Sequence, residues 1–357
     1  MSSPLLSVIV PAFRGTATLP QALSALAAND LPRGCWELIV VDDASDDGTS
    51  ELARTWADHV VSLPGRPHGP AFARNRGVEA STGLWLVFID SDVVVHADAL
   101  RLFASVIERH PDVDAVFGAY DEAPPAKGFL SQYRNLLHRY VHRLGSGEAD
   151  TFWAGCGAVR RTAFVAVGGF DERRYTRPQI EDIELGYRLK DRGGRILLRP
   201  EIQGTHLKRW TLIGSTRTDL LDRGIPWIRL LLERGKIARP ANLNLARGER
   251  LKTGMIGVAL VLMLGALLWR RFDAAFGAAL LLLAVELSNL RLLAWFARQR
   301  GVLFALAVIP MNLWYYFVSG LSVVFGFALH LARGSQQRKS RNTREMALDT
   351  ARGRTPR

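Results

Sequence analysis

The feature that most constrains the fold of this chain is a series of short apolar runs that alternate with helical segments. Two of these runs, WELIVV and LWLVFI, lead directly into acidic clusters, VDDASDDGT at 41–49 and FIDSD at 88–92. Strands and helices that alternate at this spacing predict an α/β domain with a mostly parallel sheet. Ligands of such sheets bind beyond the carboxyl ends of the strands, so both clusters are expected to face one crevice.

The acidic residues themselves indicate a chemistry. Asp90 and Asp92 flank a single serine, and paired carboxylates suit a hard divalent cation, which prefers oxygen ligands. Such a cation beside a sugar nucleotide would take up the charge of the departing diphosphate. A third cluster, IED at 180–182, begins an amphipathic helix with the sequence EDIELGYRLKDRG. Together these patterns point to glycosyl transfer.

The second half of the chain has a different character. A basic, Trp-bearing amphipathic stretch is typical of a helix in the membrane interface, and it precedes three apolar runs at 254–269, 274–290 and 302–331. A helix needs about 20 apolar residues to span a bilayer. We therefore expect four regions in the chain, a catalytic domain at 1–210, an interface segment at 211–250, two to four transmembrane helices at 251–333, and a basic, disordered tail at 334–357.

The net charge of +12 has to be explained by a partner or by solvation. Its basic stretches border the apolar runs, which favours anionic membrane lipids over nucleic acid as the partner. Only two cysteines, far apart in sequence, indicate a reducing compartment. We expect a multi-pass protein of the bacterial inner membrane with a cytoplasmic catalytic domain. The number of crossings, the side of the tail and the oligomeric state stay open.

Residues 5–200 resemble family 2 glycosyltransferases of the GT-A fold. The resemblance lies in six strings that occur in the family's order, SVIVPAF, VVDDASDDGT, GPAFARNRG, FIDSD, GGFDE and EDIELGYRLKDRGGRI. It implies inverting transfer from a nucleotide-diphosphate sugar, with a UDP-sugar favoured and Mg²⁺ or Mn²⁺ as cofactor. The acceptor is expected to be a hydroxyl of a lipid or a lipid-linked molecule.

The resemblance also implies roles for individual residues. Asp182 corresponds to the catalytic base, and Asp92, Asp90 and His206 to metal-binding positions. The acceptor side is expected to include Trp153, Gly155 and Glu181. The residues expected to bind the nucleotide sugar are Pro11, Ala12, Phe13, Asp42, Asp43, Arg74, Asp90 and Ser91. These assignments have structural alternatives. Asp42 and Asp43 could cap a helix, Asp90 and Asp92 could form a turn, and Asp182 could be an ordinary acid at a helix N-terminus. Arg74 could lie on a helix surface, and His206 could be a membrane-proximal structural histidine.

Two other functions fit parts of the pattern. Arg209-Trp210 is preceded three residues earlier by His206 rather than Gln, which argues against the processive polymer synthases of the superfamily. The polyprenyl-phosphate sugar synthases share the membrane-anchored layout but lack the GGFDE–ED arrangement, so they are the first alternative. A membrane scaffold with an inactive domain is the second, and the intact Asp92 and Asp182 argue against it.

Overall fold

A computed structural model describes residues 4–237 and 247–351 of the chain, with side chains given to residue 332. Its contacts divide the described chain into two units. The first consists of residues 4–215, 247–250 and 286–310, and the second of residues 216–237, 251–285 and 311–351.

The first unit is built on one nine-stranded sheet with the order β3-β2-β1-β4-β8-β6-β9-β5, in which β7 pairs with β9. The strands are β1 (Leu6–Ala12), β2 (Trp36–Asp42), β3 (His59–Ser62), β4 (Trp85–Ile89), β5 (Val93–Val95), β6 (Ala115–Tyr120), β7 (Gly147–Glu148), β8 (Cys156–Arg160) and β9 (Ile196–His206). The helices of this part are α1 (Leu19–Ala27), α2 (Thr49–Ala53), α3 (Pro70–Glu79), α4 (Ala99–Arg109), α5 (Phe129–Leu144), α6 (Arg161–Ala166) and α7 (Glu181–Asp191), with a 3₁₀ turn at Arg33–Cys35.

The sheet has two halves with different strand directions. Strands β1 to β4 pair in parallel, as the alternation of apolar runs and helices predicts. Beyond β4 the ladder is mixed, because β8 lies antiparallel between β4 and β6, and β9 pairs in parallel with β6 but antiparallel with β5. The predicted α/β GT-A architecture is confirmed, and the sheet is mixed to a greater extent than the sequence indicates.

The parallel half is held by an apolar core. Every residue of β4, WLVFI, is buried, because helices cover both faces of the sheet. Helix α3 packs unusually close to β1 and β2, since a Cβ on Gly77 would lie only 2.4 Å from Ile9 Cγ2. This close approach fixes the distance between α3 and the sheet, and therefore the position of Arg74, which lies about one turn earlier in the helix.

Helix α12 (Leu290–Arg300) belongs to the same unit and packs on α5. Its Phe296 ring lies 5.8 Å from the ring of Tyr133. Arg300 Nε donates to Gln132 Oε1 at 2.8 Å. A segment that follows the second apolar run in sequence is thus part of the sheet domain.

The second unit contains α8 (Leu212–Arg217), a π-helical turn at Thr218–Gly224, α9 (Ile225–Glu233) and parts of α10 (Arg247–Trp269), α11 (Phe272–Ser288) and α13 (Val302–Ala351). Its helical segment 216–233 packs on α13. Trp314 Nε1 donates to Thr216 Oγ1 at 2.9 Å. Gly224 lies against Ser322 and Gly326 against Ile228, so closely that a Cβ on either glycine would clash with its partner. In all three pairs the partners are 98 positions apart, so the two helices run in the same direction.

Two described helices are long and apolar enough to cross a membrane, Arg247–Trp269 with a mean hydropathy of 2.1 and Val302–Ala332 with 1.7. The predicted run at 274–290 forms the helix Phe272–Ser288, which passes the same test only together with Leu290–Arg300, a helix that it meets at an angle of 58°. The tail also differs from the prediction. Helix α13 continues to Ala351, because good helix formers such as Gln, Arg, Lys and Ala dominate it, and residues 352–357 lie outside the described residues.

Candidate active site

The predicted site residues come from seven segments of the chain, and the structure brings most of them to the carboxyl end of β4 and its surroundings. Asp90, Ser91 and Asp92 form the turn between β4 and β5. Glu181 and Asp182 begin α7, and Arg74 lies in α3. His206 is the last residue of β9 and pairs in register with Val93 of β5.

Asp92 and His206 form the first pair of the site. Asp92 Oδ2 lies 3.4 Å from His206 Nε2. Burial acts to raise the pKa of Asp92, but the hydrogen bond and charge of His206 outweigh it and leave the pKa lowered. The carboxylate is therefore ionised at neutral pH, in the form that a cation requires.

The imidazole of His206 is held by an aromatic cluster that the sequence prediction did not include. Its ring stacks on Tyr120 with centroids 4.3 Å apart and planes at 5°. Trp153 lies edge-on to the same tyrosine at 4.9 Å. Tyr120 is the last residue of β6, and this position at a strand end is the one feature of the sequence that could have marked it as a site residue. Trp153 itself, expected on the acceptor side, packs against His138 and His142 of α5.

Asp90, the other acid of the pair, is held by a different cation. Arg74 Nη2 donates to Asp90 Oδ1 at 2.7 Å, and the same guanidinium donates through Nη1 to Glu181 Oε1 at 2.9 Å. Burial, opposed by the charge of Arg74, raises the pKa of Asp90. Arg74 is buried, so it lies between protein carboxylates and not at a surface.

Asp182 has the environment that a general base requires. Its Oδ2 accepts the backbone N–H of Ala154 at 3.1 Å, and its Oδ1 accepts that of Ile183 at 2.8 Å. Burial, followed by the negative charge of Glu181, raises its pKa to about 6 in spite of these bonds. A carboxylate with such a pKa is ionised at neutral pH and still basic enough to accept a proton.

The loop before β8 connects this base to the acid pair. Ala154 donates to Asp182, and the next residue, Gly155, accepts the N–H of Asp90 at 3.2 Å. A Cβ on Gly155 would lie 2.5 Å from the ring of Trp153, so only glycine fits under the indole. Cys156 follows, and burial raises the pKa of its thiol to about 12, which excludes it as a nucleophile at neutral pH.

The acids at the end of β2 lie apart from this cluster and are occupied by protein groups. Asp42 accepts the N–H of Ser45 at 3.1 Å and the hydroxyl of Ser50 at 2.5 Å. Asp43 accepts the N–H groups of His68 and Gly69, the latter at 2.8 Å. These bonds hold the turn before α2 and the loop before α3. That one of the two acids contacts the base of a nucleotide stays a prediction.

A cleft of about 640 Å³ opens beside Asp92. Phe13, which is 45% exposed, lines one side together with the start of α1. Ser91 and Asp92 line the floor, and Leu207, Lys208 and Arg209 line the other side. Pro11 and Ala12 lie behind Phe13 in β1, in register with Val41 and Asp42. The cleft thus joins the first strand end to the Asp92–His206 pair.

No cluster of three or more His, Cys, Asp or Glu side chains that could hold a metal occurs in the described part of the chain. The protein offers two ligands, a carboxylate and an imidazole, in the Asp92–His206 pair. Mg²⁺ in nucleotide sites is commonly held by one or two carboxylates, with phosphates and water completing its shell. The donor set at Asp92 therefore fits a cation that is bound together with a diphosphate.

Comparison with known proteins agrees with this geometry. Residues 7–168 match the model of glycosyl transferase family 2. The PGL/p-HBAD biosynthesis glycosyltransferase of Mycobacterium bovis is 33% identical over 123 residues, which are 33% of this chain and 47% of that protein. Glycosyltransferase AglE of Haloferax volcanii is 33% identical over 133 residues, or 36% of this chain and 43% of that protein. The chain thus spans about half the length of these curated relatives.

A solved structure resembles most of the chain. It is the mannosyltransferase PcManGT of Pyrobaculum calidifontis in complex with GDP-Man and Mn²⁺, which has a TM-score of 0.53 and 19% identity over 93% of this chain and 88% of that one. At this identity the likeness concerns the fold.

Proposed function

Since the N-terminal part of the chain is a family 2 glycosyltransferase domain, we propose that the protein is an inverting glycosyltransferase. It moves a sugar from a nucleotide-diphosphate sugar to a hydroxyl of a lipid or lipid-linked acceptor. The observation that carries this proposal is the placement of Asp182, a carboxylate with a pKa raised to about 6, close to a separate acid–histidine pair suited to a cation. One group accepts a proton and the other receives the leaving group, which are the two requirements of the reaction.

Each residue of the site has a defined task in this proposal. Asp182 accepts the proton of the acceptor hydroxyl as its oxygen bonds to the anomeric carbon. The bond from that carbon to the diphosphate oxygen breaks, and the electron pair leaves with the nucleoside diphosphate. Asp92 and His206 would hold Mg²⁺ or Mn²⁺, which would supply the positive charge that neutralises the departing diphosphate. Phe13 and Ser91 line the space for the nucleotide, for which a UDP-sugar is favoured.

The second half of the chain supports a membrane acceptor. Two helices have the length and composition of membrane spans, and large apolar side chains on them are exposed, such as Leu267, Trp269 and Leu303. Exposed apolar surface of this extent marks contact with lipid. We infer that the protein lies in the bacterial inner membrane as a multi-pass protein, with anionic lipids at the basic segment 211–250 and the catalytic domain in the cytoplasm. Part of that segment, 238–246, lies outside the described residues.

A screen of nucleotide sugars tests the proposal. Full-length protein in detergent is mixed with UDP-, GDP- and dTDP-sugars, with Mn²⁺ or with EDTA, and both thermal stabilisation and release of nucleoside diphosphate are measured. We expect one donor class to stabilise the protein in the presence of Mn²⁺ and to be turned over when a membrane lipid extract is added. Absence of binding and of turnover with every donor would favour a membrane scaffold.

A second assay separates the proposal from its alternative, a polyprenyl-phosphate glycosyltransferase. A phosphate acceptor is already ionised and needs little base catalysis, whereas a hydroxyl acceptor depends on Asp182. Loss of transfer in Asp182→Asn therefore supports the hydroxyl acceptor. Transfer to polyprenyl phosphate that is unchanged in this variant would support the alternative.

A further inference from the structure

Arg74 joins the two functional parts of the site through one buried guanidinium. The residue is 4% exposed. Its Nη2 donates to Asp90 at the end of β4, and its Nη1 donates to Glu181 at the start of α7. Glu181 is bonded at its other oxygen as well, since Oε2 accepts the N–H of Gln179 at 2.9 Å. Both terminal nitrogens of the arginine are thus directed at protein carboxylates.

We propose that Arg74 is a positioning residue that fixes the catalytic base relative to the acid pair, and that it does not bind the donor. This inference rests on the proposed function. It changes the expectation for two residues, because the sequence assigns Arg74 to the nucleotide and Glu181 to the acceptor. In the proposal, neither residue contacts a substrate.

The surroundings of the guanidinium support this role. Arg74 Nε is buried and has no hydrogen-bond partner among the described residues. The face of the guanidinium lies 5.5 Å from the ring centre of Phe170. The terminal nitrogens are held by carboxylates, the remaining nitrogen is shielded, and one face is covered by a ring. With its side chain only 5% exposed, this arginine presents almost no surface to a diphosphate.

A second connection joins Asp90 to the start of α7 and, together with Arg74, makes a closed frame. The loop at 154–155 donates to Asp182 and accepts from Asp90. Asp90 is therefore connected to the start of α7 twice, through this loop and through Arg74. Asp90 still keeps one third of its side-chain surface exposed, at 33%. The frame thus anchors this acid without removing it from the site. Catalysis needs a base with a fixed position, because small displacements of the base reduce the rate strongly.

The same arginine also balances charge. Asp90, Asp92, Glu181 and Asp182 bring four acids together, and Arg74 is the cation bonded to two of them. The charge of Glu181 raises the pKa of Asp182, whereas the charge of Arg74 lowers it. Removal of the charge of Glu181 should therefore move the acid limb of the pH profile to lower pH, whereas a substitution of Arg74 that keeps the charge should leave the limb in place.

Arg74→Lys and Glu181→Gln, each in the full-length protein, test the proposal. Binding of UDP and of GDP with Mn²⁺ is measured by calorimetry, and the pH profile of kcat is measured with the donor from the screen. Lysine keeps the charge but cannot span two carboxylates, so we expect kcat to fall by about tenfold or more while nucleotide affinity stays within roughly twofold of the wild type. The acid limb should stay near its wild-type position in Arg74→Lys, because the charge is kept, and should move to lower pH in Glu181→Gln, because a negative charge beside Asp182 is lost.

Arg76→Lys is the matched control. Arg76 lies in the same helix and pairs with Glu79 and Glu172, away from the acids of the site, so its replacement should leave kcat, affinity and the pH profile unchanged. A drop in nucleotide affinity of about tenfold with unchanged kcat in Arg74→Lys would overturn the proposal, since it would show direct donor binding. An acid limb that does not move in Glu181→Gln would overturn it as well. Failure of the wild type to turn over any donor would instead refute the proposed function.

Discussion

Two pairs of acids lie at the ends of parallel strands of the same sheet, β2 and β4 on either side of β1, yet the protein uses them differently. Asp42 and Asp43, after β2, are 4% and 5% exposed and accept hydrogen bonds from backbone N–H groups and a serine hydroxyl. Asp90 and Asp92, after β4, keep about a third of their side-chain surface and face cationic partners, Arg74 and His206. One pair organises loops, and the other is available to a ligand.

The difference shows what a strand-end acid requires to become a functional one. At Asp42 and Asp43, both carboxylate oxygens are engaged by protein donors and almost none of the side chain is exposed. A side-chain cation such as Arg74 anchors one oxygen of a carboxylate and can leave the rest of it accessible. A functional acid pair also needs the base close to it. The loop before the antiparallel strand β8 bonds to both Asp182 and Asp90, and so links the base to the acid pair. We therefore expect changes at the second pair to affect chemistry and changes at the first pair to affect stability.

The largest effect is expected for Asp182→Asn. Asparagine keeps the shape of the side chain but cannot accept the proton, so kcat should fall by roughly 10²–10⁴. Nucleotide affinity should be retained, because the donor is held elsewhere. Steady-state rates and calorimetric binding of the nucleotide, measured on the same preparation, test this. A variant with full activity would show that another group is the base.

Asp92→Ala should have the next largest effect. Loss of the carboxylate removes one of two protein ligands for the cation, and kcat should fall by about two orders of magnitude. Chelation of the wild type with EDTA should produce a similar loss that Mg²⁺ or Mn²⁺ reverses. A titration of activity against Mn²⁺ concentration for both proteins is the measurement. Wild-type activity that persists undiminished in EDTA would remove the metal from the proposal.

The pH dependence of the wild type should show a smaller and continuous effect. Asp182 has a pKa raised to about 6 and is active only when deprotonated, so its active fraction falls as the pH decreases through that value. We expect kcat to fall about tenfold for each pH unit below this point and to level off above it. A profile between pH 4.5 and 8 tests the sign, and an acid limb that is absent in this range would contradict the assignment of the base.

Asp43→Asn should affect stability more than turnover. The amide has one acceptor oxygen and no charge for the N–H groups of His68 and Gly69, and the loss of a charged acceptor should cost about 1–3 kcal/mol of unfolding free energy. Activity of the folded protein should stay within a few-fold of the wild type. Thermal unfolding and kcat, measured together, separate the two effects. A stable variant with greatly weakened nucleotide binding would show that Asp43 contacts the base.

The sequence predicts the parallel half of the domain well and the remainder less well. Strands β1, β2 and β4 are continuous apolar runs, and such runs are recognisable because buried parallel strands need no polar face. Strands β5 and β7 have only three and two residues and carry no periodic signal. The second half of the long strand β9, EIQGTH, follows Pro200 and contains one large apolar residue, Ile202, so its sequence gives little sign of a strand.

The candidate site, too, could be predicted from the sequence only in part. Asp90, Asp92 and Asp182 could be singled out from their motifs, because acids at strand and helix ends have few structural uses. The bond between Arg74 and Glu181 joins residues 107 positions apart, and the stacking of Tyr120 on His206 depends on the position of β9 beside β6 and β5. Such contacts depend on tertiary packing, so the sequence named the residues but not their partners.

The contacts between segment 216–228 and α13 have a consequence for the membrane. Because each pair has the same separation of 98 positions over 12 residues, or about 18 Å of helix, the two helices share one axis direction. A helix lying flat in the headgroup layer would cross an upright one at a single point. Residues 216–228 and 314–326 must therefore have the same tilt and reach similar depths. One measurement of depth along Trp314–Gly326, for example by fluorescence quenching from labelled lipids, would thus fix the orientation of both segments.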